Sequence, residues 1–341
     1  MLDIRNVHIA LALMAATPVV PAPSAVASGK WAVEIWAYPL QPGEWGGPVG
    51  LTYDRGRGEL YMADPPRGLV RVFDRAGIER FAFSHQVPGR DGRASDRGEP
   101  RSLAVRDDGR IYLVDQLSPA VSLLNFRGER VDALDVALAV GREPGTVRPQ
   151  AVTLGPDRCI YVATAGAATG VLVFDEHDRV VRRIGYDLEG IQAPRAPRAL
   201  DVDPDGGVWL AEERGFPVVK HYGPDGEYLG GFGGRGLSDR DFSFPSDLLR
   251  ADDGTIWIAD AIRQAVKHFT STGELIELVG GYGVNPGELQ YPSALAGDGV
   301  TELFVCERVG RRIQRYAPAM PDNEVAAERV QTDVVARGSV R

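Results

Sequence analysis

The segment that decides the fold is Pro245-Ser-Asp-Leu-Leu-Arg-Ala-Asp-Asp-Gly-Thr-Ile-Trp-Ile-Ala-Asp260. An apolar run follows the proline, a turn contains Asp252-Asp-Gly254, and a second apolar run ends at the carboxylate of Asp260. Asp and Gly tolerate the backbone of tight hairpin turns, whereas aromatic and β-branched residues favour strands. The segment therefore predicts two antiparallel strands joined by a short turn.

The same unit occurs six times along the chain. The copies open at Pro48, Pro100, Pro149, Pro197, Pro245 and Pro292. The spacings between these prolines are 52, 49, 48, 48 and 47 residues. A third strand ending in an aromatic residue follows in each copy, and a turn that usually contains glycine leads to a fourth strand in all copies but the last. Four strands per copy predict an all-β, six-bladed β-propeller with four-stranded antiparallel blades. A β-sandwich would not repeat a four-stranded unit at constant spacing.

The two ends of the chain indicate how the ring closes. The sixth copy ends at Tyr316-Ala-Pro-Ala-Met-Pro321 without a fourth strand, whereas an unpaired strand, Gly29-Lys-Trp-Ala-Val-Glu-Ile-Trp36, precedes the first copy. We therefore expect the N-terminal strand to complete the last blade, so that the propeller spans residues 29–318 and leaves few open strand edges. Residues 319–341 are predicted to be a tail that is disordered or forms a short helix.

The first 27 residues have the pattern of a secretory signal peptide. Asp3 and Arg5 precede an apolar stretch from Val7 to Val20, and small residues follow up to Ala27. This pattern predicts cleavage after Ala27 and a periplasmic or secreted protein. A disordered leader or an uncleaved anchor is the alternative interpretation. No later stretch is long and apolar enough to predict a membrane span.

The charge of the chain restricts its partners. The formal net charge is -9 and the isoelectric point is about 5.2. A surface of this sign repels phosphate backbones, so we expect no nucleic-acid partner. The expected partner is a protein, a peptide or a small polar ligand, and the expected state is a monomer.

Two linker segments resemble the NHL-repeat family. They run from Phe232-Gly-Gly-Arg-Gly236 to Phe242-Ser-Phe-Pro245, and from Gly280-Gly-Tyr-Gly283 to Pro286-Gly-Glu-Leu-Gln-Tyr-Pro292, and each precedes the opening of a blade. The resemblance covers about 290 residues and is strongest over 197–316. It implies a propeller of a kind that includes exported bacterial binding scaffolds, peptidyl-amidoglycolate lyases and related enzymes with a funnel-shaped site. The strands that contain Asp-Gly and Trp also look like those of streptogramin B lyases.

The candidate binding residues directly follow the opening prolines. The first strand of each blade enters the channel from one face and the second returns to it, so both sets of strand ends are predicted at one mouth. The ligand candidates at this mouth are Arg101, Gln150, Arg198, Ser246 and Ser293, while blade one has Val49. Arginine forms bidentate contacts with carboxylates and phosphates, so these residues predict a site for a small polar or anionic ligand.

A second set of candidates ends the second strands. It consists of Asp64, Asp115, Glu212, Asp260 and Glu307, with Thr164 in blade three. Carboxylates could hold calcium or magnesium, and no other cofactor is indicated. Because the carboxylate recurs in nearly every blade, a structural role is the favoured interpretation, in which it caps a turn or pairs with an arginine.

Histidines are absent from the predicted mouth. His8 lies in the leader, and His85 and His177 lie in predicted polar loops or turns. His221 and His268 occupy equivalent positions in third strands, which favours a packing or surface role. The lyases of the resembling families use histidines in their funnels. The leading hypothesis is therefore an exported binding scaffold for a polar ligand or a protein partner. The alternative is a funnel-site lyase or lactone hydrolase with a carboxylate-bound divalent metal.

Overall fold

The computed structural model describes residues 26–28, 30–88 and 95–319, and we number its strands in chain order. Blade one contains β3 (Gly50–Asp54), β4 (Glu59–Asp64), β5 (Leu69–Phe73) and β6 (Glu79–Ser84). Blade two contains β9 (Pro100–Val105), β10 (Ile111–Asp115), β11 (Ala120–Leu124) and β12 (Arg130–Asp135). Blade three contains β13 (Val147–Leu154), β14 (Ile160–Gly166), β15 (Gly170–Phe174) and β16 (Val180–Ile184).

The other three blades follow the same order. Blade four contains β17 (Pro197–Val202), β18 (Val208–Glu212), β19 (Val219–Tyr222) and β20 (Tyr228–Phe232). Blade five contains β21 (Pro245–Arg250), β22 (Ile256–Asp260), β23 (Ala265–Phe269) and β24 (Leu275–Gly280). Blade six contains β25 (Pro292–Gly297), β26 (Leu303–Glu307), β27 (Arg312–Pro318), β2 (Trp31–Ala37) and β1 (Val26–Ser28).

The six first strands form a closed ring around the axis. Each first strand contacts the first strands of both neighbouring blades, and β25 of blade six contacts β3 of blade one. All pairings within the blades are antiparallel, and a regular turn joins β21 to β22, where Gly254 has a φ of +86°. This left-handed conformation favours glycine over other residues. The prediction of a six-bladed, all-β propeller is confirmed.

Blade six contains the strand that closes the ring. The strand expected over residues 29–36 spans Trp31–Ala37 and pairs antiparallel with β27, which confirms the predicted closure. The indole of Trp31 meets that of Trp257 in blade five edge to face, with ring centroids 5.5 Å apart. Backbone pairing also adds β1 to β2, so this blade has five strands and not four. The predicted cleavage point after Ala27 falls within β1.

Few elements lie outside the blades. Within the long polar connection from Ser84 to Glu99, β7 (Gln86–Pro88) pairs antiparallel with β8 (Ser95–Arg97). A single helical turn, α1 (Val136–Ala139), and a 3-10 turn (Pro65–Arg67) occur on connections. Residues 1–25 of the predicted leader and 320–341 of the predicted tail lie outside the described residues. Among those described, no helix is long and apolar enough to span a membrane.

Candidate functional site

A channel of about 840 Å³ runs along the propeller axis and is lined by the first strands of the blades. We call the end at which the first strands begin the channel mouth, and the other end the far end. Ligand pockets of proteins typically measure about 300–1,000 Å³, so the channel has the size of a small-molecule site. Of the ligand candidates, Arg101, Arg198, Ser246 and Ser293 line the channel, as does Val49.

Arg101 forms no ion pair among the described residues, although Glu213 and Asp247 offset part of its charge. Its Nη1 atom lies 3.5 Å from Oε1 of Gln150, and no carboxylate within the described part of the chain pairs with it. Burial, together with repulsion from the nearby Arg198 guanidinium, lowers the pKa of Arg101 to about 10. The group therefore remains a cation at neutral pH, in surroundings that favour the arrival of an anion.

Arg198 is better accommodated but is also incompletely paired. Its Nη1 atom lies 3.3 Å from Oε2 of Glu213, and its guanidinium stacks over Phe244 at 4.4 Å from the ring centroid. Its Nε atom is buried without a hydrogen-bond partner among the described residues. Burial lowers the pKa of Arg198, whereas Glu213 opposes this effect. The two arginines thus bring two partly desolvated guanidinium groups to the channel mouth.

The other three ligand candidates contact residues of neighbouring blades. The Ser246 hydroxyl donates to the Pro292 carbonyl of blade six at 2.8 Å, and the Ser293 hydroxyl donates to the Pro48 carbonyl of blade one at 2.9 Å. Gln150 is half-buried beside Arg101 and does not line the channel. These contacts link adjacent blades, so the two serines have structural hydrogen bonds before any ligand binds.

The carboxylates that end the second strands are buried away from the channel. None of the five lines it, although the sequence predicts them at the same mouth as the arginines. Four accept backbone N–H groups from the connection that leads into their own blade. The shortest of these hydrogen bonds join Asp64 to Gly46 (2.8 Å), Glu212 to Arg195 (2.8 Å), Asp260 to Ser243 (2.9 Å) and Glu307 to Gln290 (2.7 Å). The reason is geometric: the second strand lies one strand further from the axis.

These carboxylates do not fit the role of metal ligands at the channel mouth. Three are close to cations of their own: Glu212 to Lys220, Asp260 to Lys267 and Glu307 to Arg312. Asp115 accepts the Leu117 N–H at 2.8 Å. The described ranges contain no group of three or more His, Cys, Asp or Glu side chains that could hold a metal ion. Binding of calcium or magnesium remains a prediction.

An aromatic surface at the mouth was missed in the sequence. Phe244 and Tyr291 each precede an opening proline, and both line the channel with their ring centroids 6.3 Å apart. Arg198 lies over Phe244, and Arg308 lies 5.9 Å from the centroid of Tyr291. We call the two rings the aromatic shelf. The signal was present, since both residues stand one position before the prolines that define the repeat.

Two channel carboxylates were also missed. Asp201 on β17 accepts the Arg250 N–H of blade five at 2.8 Å, and Asp247 on β21 accepts the Leu295 N–H of blade six at 2.7 Å. Burial raises the pKa of Asp201 to about 6 and that of Asp247 to about 7. Repulsion between the two carboxylates adds to the shift of Asp247, and Arg101 opposes it. Asp247 is therefore a proton-exchanging group near neutral pH, close to the arginines.

The histidines lie outside the channel, as far as the described residues show. His221 stacks on Trp209 and His268 on Trp257, with centroids 3.9 and 3.8 Å apart, which agrees with the predicted packing role. His85 lies in the connection between β6 and β7, as predicted, but is buried there, with Nε2 3.6 Å from Oδ2 of Asp115. Gly98, which follows β8, packs against both side chains and contributes to the burial.

Comparison with known proteins supports the fold and no more. A scan against protein-family models finds no match, and a search of curated proteins finds none. Solved structures match over most of their length. A streptogramin B lyase has a TM-score of 0.58 at 14% identity and covers 86% of this chain and 100% of its own.

Two further neighbours have other activities in their descriptions. A gluconolactonase from Xanthomonas campestris has a TM-score of 0.58 at 13% identity, covering 87% of this chain and 95% of its own. A luciferin-regenerating enzyme has a TM-score of 0.59 at 12% identity, covering 84% of this chain and 95% of its own. At such identities the likeness defines the architecture, a six-bladed β-propeller with an axial channel, and leaves the function to the site.

Proposed function

We propose that this protein is an exported binding propeller of the NHL-repeat type, whose channel mouth binds a small organic anion. The observation that carries the proposal is the pair of partly desolvated guanidinium groups of Arg101 and Arg198. An anion between them would give Arg101 the direct ion pair that Glu213 and Asp247 do not form with it. Guanidinium groups bind carboxylates and phosphates through paired, charge-assisted hydrogen bonds, which are among the stronger hydrogen bonds in proteins.

The charge distribution supports a local rather than a general attraction for anions. The whole chain has a net charge of -9, so its surface does not attract anions by net charge alone. Arg101, Arg198 and Arg308 nevertheless line one mouth, against the lining carboxylate of Glu99 there, and Glu213 pairs with Arg198. A ligand that binds there is selected by the contacts of the channel.

Binding of simple anions tests the proposal directly. Acetate, benzoate and inorganic phosphate are titrated against the purified protein by calorimetry, and thermal unfolding is followed with each. We expect at least one carboxylate to bind. Its binding should also raise Tm, because a ligand that binds only the folded state stabilises that state. The variants Arg101→Gln and Arg198→Gln should bind about 10- to 100-fold more weakly, as hydrogen bonds to charged groups contribute about 1.5–3 kcal/mol.

The matched control is Arg55→Gln. Arg55 also lines the channel but lies at the far end and is paired with Asp252 at 2.6 Å. Its loss should leave carboxylate affinity within about twofold of that of the unaltered protein, since its charge is already compensated. Equal affinities in all three variants, or no binding by the unaltered protein, would refute the proposed site.

Asp247 favours a second candidate function, an enzyme of the lyase or lactone hydrolase class. A carboxyl with a pKa of about 7 can accept or donate a proton at neutral pH, which is what general acid–base catalysis requires. In this role Asp247 would exchange a proton with a substrate held by Arg101. The test is turnover of simple lactones by the unaltered protein and by Asp247→Asn. Absence of turnover, or turnover that survives this substitution, would exclude Asp247 as the acid–base group.

Export and metal content have independent tests. Mass spectrometry of the protein recovered from the periplasm or medium should show a chain that begins at Ser28. Recovery of the full-length chain in the cytoplasm alone would contradict export. Elemental analysis of the same sample measures calcium and magnesium, and a stoichiometric divalent ion would favour the enzyme over the binding protein.

A further inference from the structure

The aromatic shelf determines what kind of anion fits the channel mouth. Phe244 and Tyr291 line the channel on the side of blades five and six, next to Arg198 and Arg308. We propose that the ligand carries a flat aromatic or conjugated body beside its carboxylate, with the body packed against this shelf. This inference rests on the proposed function, since it assigns the rest of a ligand whose anionic group the arginines hold.

The backbone at Tyr291 is held in an uncommon conformation. Its φ is +62°, a left-handed value that residues other than glycine rarely adopt and that costs about 1–3 kcal/mol. Two contacts maintain it: the Tyr291 N–H donates to Oε1 of Gln264 at 2.5 Å, and the Arg308 N–H donates to the Tyr291 carbonyl at 2.9 Å. A glycine would relieve the conformation, and blade one has Gly47 at this place. Ala196, at the same place in blade four, also has a positive φ (+50°), so the conformation belongs to the repeat, and blade six fills this place with an aromatic ring.

The two halves of the mouth differ in a way that orients a ligand. On the side of blades one and two, the mouth is lined by side chains without aromatic rings, among them Val49, Pro65 and Gln116. Arg101 lies on that side, in blade two. A carboxylate that reaches Arg101 and Arg198 therefore leaves its attached body next to blades five and six. A flat aromatic ring gains binding free energy from stacking on the shelf and from contact with the adjacent guanidinium groups. A saturated ring of the same size gains binding free energy only from burial of its surface.

A pair of probes isolates this contribution. Benzoate and cyclohexanecarboxylate have the same number of carbon atoms and the same charge, and differ in the flatness and π-electrons of the ring. Calorimetric titration of the unaltered protein should show benzoate binding about fivefold more tightly, which corresponds to about 1 kcal/mol. In Phe244→Leu and Tyr291→Leu, which keep an apolar side chain, the two probes should bind within about twofold of each other.

The control variant is Phe126→Leu. Phe126 is an exposed aromatic residue in the turn between β11 and β12, outside the channel lining, and its loss should leave the fivefold preference unchanged. Suppose that the unaltered protein binds both probes equally and that Arg101→Gln binds both more weakly. That result would overturn the flat-body inference and leave the anion site standing. Failure of both probes to bind would overturn both. A preference that survives both shelf substitutions would place the ring elsewhere and also overturn the inference.

Discussion

The half-buried carboxyl of Asp247 should make the stability of the propeller fall as the pH rises. Burial holds its pKa at about 7 in the folded protein, whereas an aspartate in an unfolded chain titrates near 3.9. The folded state therefore binds a proton over a pH range in which the unfolded state has released it. The stability that this proton provides is complete below about pH 4 and is lost as the pH rises through 7.

The size of the effect follows from the two pKa values. One pKa unit corresponds to about 1.4 kcal/mol, so the full difference changes the free energy of unfolding by about 4 kcal/mol. In Asp247→Asn this titration is absent. The amide also leaves one of the two donors, the N–H groups of Leu248 and Leu295, without an acceptor. That loss lowers stability by about 1–3 kcal/mol at every pH and does not alter the slope.

Urea denaturation at several pH values between 4 and 8 measures the slope. We expect the difference in unfolding free energy between the unaltered protein and Asp247→Asn to move by about 4 kcal/mol, in favour of the variant, as the pH rises. Ser102→Ala is the matched control: Ser102 occupies the equivalent position in blade two and accepts the Val152 N–H of blade three at 3.0 Å. It should follow the slope of the unaltered protein. If the free energies of unfolding of the unaltered protein and of Asp247→Asn changed in parallel with pH, the reasoning would be refuted.

Three further substitutions test the packing, each by urea denaturation at neutral pH. Trp31→Ala removes the edge-to-face contact between the closing strand β2 and Trp257 of blade five and should lower stability by about 3–5 kcal/mol; an unchanged midpoint would mean that β2 does not secure the ring. Asp64→Ala leaves two backbone donors without an acceptor and should lower stability by about 1–3 kcal/mol, and a neutral effect would contradict its capping role. Gly77→Ala places a Cβ 2.1 Å from the Trp36 carbonyl oxygen at a φ of +76°, so it should lower stability by at least about 1 kcal/mol, and a more stable variant would contradict the close approach of the two blades.

The fold could be predicted because its information is repeated. The opening prolines recur at nearly constant spacing, and the N-terminal strand supplies what the last copy lacks. The fifth strand of blade six was missed, because most of Val26–Ser28 lies within the segment assigned to the leader and the strand pairs through backbone groups. Short edge strands of this kind have no strong sequence pattern.

The site was less predictable because it depends on departures from the repeat. Arg101 and Arg198 could be placed at the mouth since they follow the opening prolines. Asp247 could not, because the register of β21 against β22 shifts between Pro245 and this residue, and such a bulge changes which side chains face the channel. The second-strand carboxylates were placed at the mouth because they end on the same face as the arginines. Their distance from the axis, which removes them from the channel, is not encoded in spacing.

The most direct test of the anion site is a crystal structure of the protein with 4-bromobenzoate, in which anomalous scattering locates the bromine. We predict a carboxylate within hydrogen-bond distance of the guanidinium groups of Arg101 and Arg198, with the bromine over the side of blades five and six. A bound molecule at the far end beside Arg55, or an empty channel at saturating concentration, would contradict the account.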